Sequence, residues 1–507
     1  MAKSRTKKVA DNVLASVLSN VINLLCGLIL PRLVLQNFGS AYNGITTSIS
    51  EFISYISLMQ AGIGGATIAA LYKPIAKKDY DSVSEILSAT EKYMRKIAGI
   101  FVAFVVVFAF VYPTFIVKEF DWLFSSTLIV IISISTFVQY YFCFTYQCLL
   151  NADQKGYILL FINSFTIILN TFISAILINS GFGIHMVKLG SSIVNVIPSL
   201  FVYFYVKNKY PIHKVKNPDS NLISQRWSAA AHEVASFVND NTDVVVLTLF
   251  ATMSDISVYT VYHYVTKSIK KIVTSFTVGF GHAFGDMYAK DEIDLMNKNM
   301  GIFELLVYSF TTTFCAVCMV MFIPFVELYT KGVDDANYIW PAFAATMTLA
   351  CAFDCFRVPY KSIVYSIGHY KQTRKDAIIE AVIHVSVSTL GVIKFGVVGI
   401  ALGSLCAMLY RTCFFAIYLS KHIINRNIWI FIQHIISSLL IILFVYLISR
   451  IYMVAINGWL MWVVYAAITT IIALTLVIFC YYFFFKDDFF NSLEKVKVLL
   501  SGLNHKK

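Results

Sequence analysis

Charge is what this sequence has least of. Asp, Glu, Lys and Arg make up 13% of its 507 residues, where a soluble domain carries about a quarter. Charge so dilute cannot clothe a water-facing surface around a chain of this size, which excludes the soluble globular classes. No GxxxxGK[ST] stretch occurs, so a phosphate-cradling ATPase loop is excluded too. No connecting segment exceeds about 25 residues, which leaves no room for a soluble domain between the apolar runs. The ten cysteines are scattered through those runs, and none sits in a loop with histidine partners. Cys315 and Cys318 form a CxxC, but in mid-run, where small buried side chains account for it. No metal and no cofactor is expected. The basic start MAKSRTKK is followed by no compact signal core. Residues 10–36 are interrupted by Asn12, Ser16, Ser19, Asn20 and Asn23, so the expectation is an amphipathic first span retained in the mature protein.

What is present is apolar. Hydrophobic residues make up 58% of the chain, and the mean hydropathy is +0.72. Runs of about 20 apolar residues recur from end to end, which is the signature of an all-α polytopic membrane protein. Fourteen spans are expected, over 10–36, 43–72, 96–117, 122–149, 156–178, 183–206, 227–251, 255–286, 299–329, 337–363, 373–393, 397–420, 428–450 and 459–485. With the N-terminus inside, cytoplasmic segments hold 29 of the 40 Lys and Arg, outer loops hold four, and seven lie within spans. That asymmetry places both termini in the cytoplasm and requires an even number of spans. The net charge of +12 follows from this distribution and does not indicate a nucleic-acid partner. Segments 79–92 and 487–500 place apolar residues on one helical side, and are expected to lie on the cytoplasmic interface.

The chain also repeats. FGIHMVKLGS at 182–191 and FGVVGIALGS at 395–404 share Phe, Gly, Leu, Gly and Ser at an offset of 213. Spans 1–6 and 7–12 then form two parallel six-helix lobes, with a substrate site expected in a central cavity at their interface. Spans 13 and 14 are an appendix. The expected domains are 1–222, 223–425 and 426–507, the last including a cytoplasmic amphipathic tail.

One stretch breaks the apolar rule. Ser228 to Lys271 reads as two spans, yet it carries His232, Glu233, Asp240, Asp243, His263, Lys267, Lys270 and Lys271. Each ionisable group at membrane depth costs several kcal/mol unless it faces protein or water. Glu233, Ser236, Asp240 and Asp243 fall on one helical face, and His263, Lys267, Lys270, Lys271 and Thr274 on one face of the next helix. A shared polar interior is expected, read here as a transport cavity.

Several motifs together resemble a known family. They are LPRLVLQNFGSAYNGITTSISEFISYISLMQAGIG at 30–64, ALYKPIAKKD at 70–79, NADQKGY at 151–157, NTDVVVLTLF at 241–250 and GVVGIALGS at 396–404. In this order the chain resembles the polysaccharide, or lipid-linked oligosaccharide, flippases of the multidrug/oligosaccharidyl-lipid/polysaccharide exporter superfamily. The resemblance implies a two-lobe bundle working by alternating access in a bacterial cytoplasmic membrane. It implies as cargo an undecaprenyl-diphosphate-linked glycan, moved to the outer leaflet for a cell-surface polysaccharide, with a polymerase or other assembly proteins as possible partners.

Flipping such a cargo needs a positive site for the diphosphate. Of the seven cations within spans, Lys188 lies close to the outer surface and reads as a rim residue, which leaves Arg32, Lys267, Lys270, Lys271, Arg357 and Arg411; Arg can fork onto phosphate and Lys acts as a point charge. Arg357 stands three residues from Asp354, so a local ion pair competes with a ligand role. Lys271 can snorkel to the inner interface. Without an ATPase, an ion gradient or the membrane potential must supply the energy, and intramembrane carboxylates are the usual carriers of H+ or Na+. The candidates are Glu51, Glu233, Asp240, Asp243, Asp354 and Glu380, with His384 one turn above Glu380. Pairing of Glu233 and Asp240 with Lys270 and Lys267 is the structural alternative. Tyr259, Tyr262 and Tyr264 could stack on sugar rings. Competing functions are a lipid II flippase, a multidrug antiporter, which would favour an acidic cavity, and a membrane glycan polymerase, which would need a larger outer loop than TKGVDDAN.

The charge asymmetry makes a direct prediction. Green fluorescent protein fused at the C-terminus should fluoresce, and alkaline phosphatase fused there should be inactive. An active phosphatase at that end would overturn both the orientation and the even number of spans.

Overall fold

A lipid-buried backbone must satisfy its own amides, and helices do so within one segment. The computed structural model is accordingly helical, with no strand among the described residues. These are residues 2–492 without 61, 117, 217, 219–225, 276–277 and 453–455. The side chains of 2–15, 17, 226–233, 235, 236, 239, 278, 279 and 282 lie outside the description. The expected domain boundary at 222–223, the side chain of Glu233 and most of the amphipathic tail fall outside it as well.

Ten helices among the described residues are long and apolar enough to cross a membrane, and an eleventh span is a pair bent by 44°, Ser40–Gln60 with Ile63–Lys77. The chain is a multi-pass membrane protein. The three other expected spans coincide with helical segments at 226–250, at 253–275 with 278–289, and at 341–366. These are the segments that carry the ionisable candidates or are broken in the middle, and so they read as less apolar.

The helices divide into two compact units. The first comprises Met1–Ser257 with Gly332–Ala336, the second Val258–Lys331 with Asn337–Lys507.

The first unit contains α1 (Ala2–Phe38), α2 (Ser40–Ser54), α3 (Ile63–Lys77), α4 (Tyr80–Val111), α5 (Trp122–Val138), α6 (Phe144–Ala152), α7 (Gly156–Asn179), α8 (Ile184–Lys209), α9 (Arg226–Phe250) and the start of α10 (Met253–Ser275). Helix α1 lies along α7, and α8 lies between α5 and α7. Helix α2 is held by polar contacts along its length. Asp335 caps its first turn, accepting from the Ser40 amide and hydroxyl at 2.6 Å each. Asn43 donates to Ser257 at 2.8 Å, and Ser48 bonds both Thr248 and Tyr112 at 2.8 Å. Residues 79–92, expected as a separate interfacial segment, are instead the first turns of the continuous helix α4. Asp79 caps them, accepting from the Ser82 amide at 3.1 Å and hydroxyl at 2.7 Å, bonds that hold its pKa below the ordinary carboxylate value.

The second unit contains the rest of α10, then α11 (Val278–Ala289), α12 (Ile293–Tyr329), α13 (Pro341–Phe356), α14 (Val358–Ser366), α15 (Tyr370–Phe395), α16 (Val397–His422), α17 (Ile428–Tyr452) and α18 (Trp459–Phe484). Helix α12 contacts α13, α17 and α18, so the two last helices attach to the unit through it. Pro359 explains the break between α13 and α14. It has no amide donor, and its ring would meet the carbonyl of Cys355 in a straight helix. Arg357 is the residue at that break.

The internal repeat is visible in the helices. Helix α8 begins at Ile184 and α16 at Val397, the offset of the sequence match. The matched glycines do the same job. A Cβ on Gly190 would lie 2.8 Å from Leu177 of α7, and one on Gly403 would lie 2.0 Å from the Ser388 hydroxyl of α15. Each glycine lets the second helix of its hairpin press onto the first. The cysteines of the CxxC are free and buried in α12.

Gly403→Val should therefore force α15 and α16 apart and cost about 1–3 kcal/mol or more, read as a lower unfolding midpoint in detergent. Gly99→Ala, where a Cβ meets nothing within 4 Å, should be neutral or stabilising by roughly 0.5–1 kcal/mol. Equal midpoints for the two variants would refute the close approach.

Candidate functional site

The candidate residues sort by unit. In the first unit, Glu51 on α2 and Asp243 on α9 both lie within electrostatic reach of the Tyr55 phenol. The Tyr55 hydroxyl is 3.3 Å from that of Thr242. Asp243 is buried, while Asp240 is exposed on the same helix. Arg32 is half-buried on α1. Four of the proposed ion carriers, Glu233 included, thus belong to one unit, and two of them, Glu51 and Asp243, lie near Tyr55.

In the second unit the structure assembles a charge network that sequence spacing only hinted at. Lys270 on α10 lies 2.7 Å from Asp354 on α13. The other Asp354 oxygen pairs with Arg357, the i, i+3 contact foreseen from the spacing. Arg357 continues to Glu380 on α15 at 2.5 Å, and Arg411 on α16 reaches the second Glu380 oxygen at 3.3 Å. Arg411 is 1% exposed, donates to the Thr373 carbonyl at 3.4 Å, and lies over the Phe415 ring at 4.3 Å. Its partner was hidden from the sequence because it stands on a neighbouring helix.

Lys361 on α14 belongs to this group as well. It interacts electrostatically with Arg357, Asp354, Lys270 and Glu380. It was not among the candidates read from the sequence; the break at Arg357 sets it beside the network. Among the described residues, four cations against two carboxylates leave an excess of two positive charges. Lys267, one turn before Lys270, and Lys271, next to it in sequence, are exposed and add to that field. Asp354 and Glu380 each contact two cations, so their negative charge is committed to holding the network. His384, buried one turn along from Glu380, bonds the Ser404 hydroxyl at 3.1 Å.

Tyr259 and Tyr262 do not form an open platform for a sugar. Both are buried, and Tyr262 donates to the Tyr338 carbonyl at 2.6 Å with its ring against Phe343. A helical face shared with lysines gave no hint of this, because the tyrosines occupy its inward edge.

A second polar cluster in this unit escaped the sequence reading. Glu304 on α12 is 1% exposed and pairs with Arg426, in the link between α16 and α17, at 2.6 Å. The only available signals were a lone acid and a lone histidine, His434, in otherwise apolar helices.

The network predicts a sharp contrast in stability. Glu380→Gln strips compensation from two buried guanidinium groups and should cost about 3–5 kcal/mol. Lys267→Ala, at an exposed position, should stay within about 0.5 kcal/mol. Thermal unfolding in detergent measures both, and similar midpoints would contradict the assigned ion pairs.

No protein-family model matches the chain, and no curated protein matches it in sequence. Solved structures do match. The lipid II flippase MurJ, in an inward closed conformation, is 16% identical with a TM-score of 0.71, covering 94% of this chain and 98% of that one. An inward-facing multidrug resistance MATE family transporter of the MOP superfamily is 14% identical with a TM-score of 0.60, covering 80% of this chain and 98% of that one. The Vibrio cholerae MATE transporter VcmN is 14% identical with a TM-score of 0.59, covering 84% of this chain and 99% of that one. At these identities the likeness is one of fold. This chain has the fold shared by the MurJ and MATE members of the exporter superfamily that its motifs resemble.

Proposed function

We propose that the protein flips an undecaprenyl-diphosphate-linked oligosaccharide from the cytoplasmic to the outer leaflet of a bacterial cytoplasmic membrane, by alternating access. The observation that carries this reading is the gathering of four cations, Lys270, Arg357, Lys361 and Arg411, with two carboxylates among the described residues, flanked by exposed Lys267 and Lys271. A membrane interior tolerates such a cluster of cations where they face protein or water or meet an anion. A diphosphate has the charge to be that anion, and its prenyl chain can stay in lipid.

The division of labour follows from burial. Arg357 and Arg411 are locked into ion pairs and shape the site. Lys267, Lys270 and Lys271 are accessible enough to meet a headgroup, Lys270 at 32% side-chain exposure. Arg32, on the other unit, is a further candidate contact. The sugar polymer served by the cargo would be assembled by partner enzymes outside this chain.

Energy comes, on this reading, from a proton or sodium gradient or from the membrane potential. Glu51, Glu233, Asp240 and Asp243 are the coupling candidates of the first unit. Asp354, Glu380 and His384 are those of the second, although the two acids are already bound by cations there. The likeness to a lipid II flippase favours one alternative, a peptidoglycan-precursor cargo, since that cargo also carries a diphosphate. A multidrug antiporter selecting organic cations fits a positive site poorly.

Lys267→Ala combined with Lys270→Ala should abolish surface glycan while membrane protein levels stay normal. Glycan output equal to the parent would remove these lysines from the mechanism. A defect in cell-wall synthesis with intact surface glycan would favour the peptidoglycan precursor as cargo.

A further inference from the structure

Glu304 and its neighbours form a polar centre of the opposite sign to the lysine–arginine network. Oε2 of Glu304 faces two groups, Arg426 Nη1 at 2.6 Å and His434 Nε2, on α17, at 3.9 Å. Oε1 accepts from the Tyr360 hydroxyl on α14 at 2.6 Å, and that hydroxyl lies 3.3 Å from the Tyr308 hydroxyl on α12. On its other side His434 Nδ1 is 3.4 Å from the Tyr481 hydroxyl on α18. His434 is 0% exposed, and its Nε2 has no hydrogen-bond partner among the described residues. The ring is boxed by aromatics. It stacks on Phe485 with 3.9 Å between centroids and 12° between planes, with Tyr308 at 5.2 Å and Tyr481 at 5.7 Å.

A second carboxylate approaches from beyond α18. Asp488 lies against α12, where a Cβ on Gly301 would meet its Oδ1 at 2.1 Å. It interacts electrostatically with both Glu304 and Arg426. The titratable and charged groups facing the pair are therefore Tyr308 from α12, Tyr360 from α14, Arg426 from the link, Tyr481 and Cys480 from α18, and Asp488 with Asp487 beyond it. Among the described side chains, helices α11 and α13 contribute apolar rings here, Phe280 and Phe284 against Phe303, and Phe356 against Tyr308. Among the described residues, two carboxylates against one guanidinium leave one negative charge, next to an imidazole with an idle nitrogen.

We propose that Glu304 and His434 form a proton-exchange site, binding one proton between Oε2 and Nε2. The bound proton cancels the unpaired negative charge. On the imidazole it would also be favoured by the surrounding ring faces, and the two groups titrate as one coupled unit. The chain of hydroxyls from Tyr308 through Tyr360 to Glu304, and from His434 to Tyr481, gives the proton a hydrogen-bonded route.

The site is placed to act on the anion network. Tyr308 stacks on Phe356 at 4.5 Å, immediately before Arg357, and Tyr360 stands one turn after it. Proton binding changes what Tyr360 and Tyr308 hold, and both grip the α13–α14 break that positions Arg357. In this role the inference rests on the transporter reading given above, with the proton as the coupled ion. It adds an ion site outside the carboxylates expected from the sequence.

Proton uptake can be read without any glycolipid. Full-length protein, purified in detergent and weakly buffered, is taken from about pH 8 to pH 5 with an indicator dye. Glu304→Gln should take up about one proton per chain less than the parent, and His434→Gln should show the same loss. Acid-minus-alkaline infrared difference spectra of the parent should contain a carboxyl or imidazolium band missing from both variants. If Glu304→Gln fails to accumulate, because Arg426 is left unpaired, His434→Gln, which alters no formal charge at neutral pH, decides. Uptake and spectra equal to the parent's in every variant that folds would overturn the proton site. That result would leave the glycolipid reading standing, since the anion network takes no part in the measurement.

Discussion

The second unit depends on one buried cation. The Arg357 guanidinium is 6% exposed and is shared between Asp354 and Glu380, carboxylates from its own helix segment and from α15. A charge at membrane depth is tolerated only when it is paired and hydrogen-bonded. That requirement fixes the rotation of four helices at once. Helix α13 must present Asp354 toward Lys270 of α10, and α15 must present Glu380 toward both Arg357 and Arg411 of α16. The Pro359 break is what allows Arg357 to leave the helix axis at the point where the two carboxylates meet.

From this constraint the division of charge in the unit follows. The carboxylates are consumed in holding the arginines, so the surplus appears on lysines. Lys270 is partly accessible, and Lys267 and Lys271 are exposed beside it. The other buried cluster, around Glu304, has the reverse balance, with acids in surplus. A surplus of cations suits an anionic headgroup, whereas a surplus of acids suits a proton. Both clusters touch the same helix break, one through Arg357 and the other through Phe356, Tyr308 and Tyr360. Two sites of opposite sign on one hinge-like element are the parts a coupled transporter needs.

The helical architecture was legible because hydropathy and span length are read residue by residue, and the lipid leaves the backbone no alternative to helix. The repeat was legible at the start of α8 and α16 because Gly190 and Gly403 are fixed by close helix approach, which tolerates no side chain. The ion pair of Asp354 with Arg357 could be read from its spacing on one helix. The pairing of Arg411 with Glu380 could not, since cross-helix contacts depend on how each helix is rotated about its axis. For the same reason Tyr262 looked like a cavity residue and proved to be packing. Lys361 was not read as part of the network, because a broken span places its ends unlike a straight one. Glu304 and His434 gave almost no signal, each being a single polar residue in a long apolar helix, and only their meeting makes them a site.

On the proposed function, the lysine–arginine network of the second unit binds a diphosphate. Calorimetric titration of the purified full-length protein with inorganic pyrophosphate tests it most directly. Saturable binding that weakens as salt is raised, and that exceeds binding of orthophosphate, is the result this account predicts. No saturable binding at low salt, or selective binding of an organic cation in its place, would contradict it.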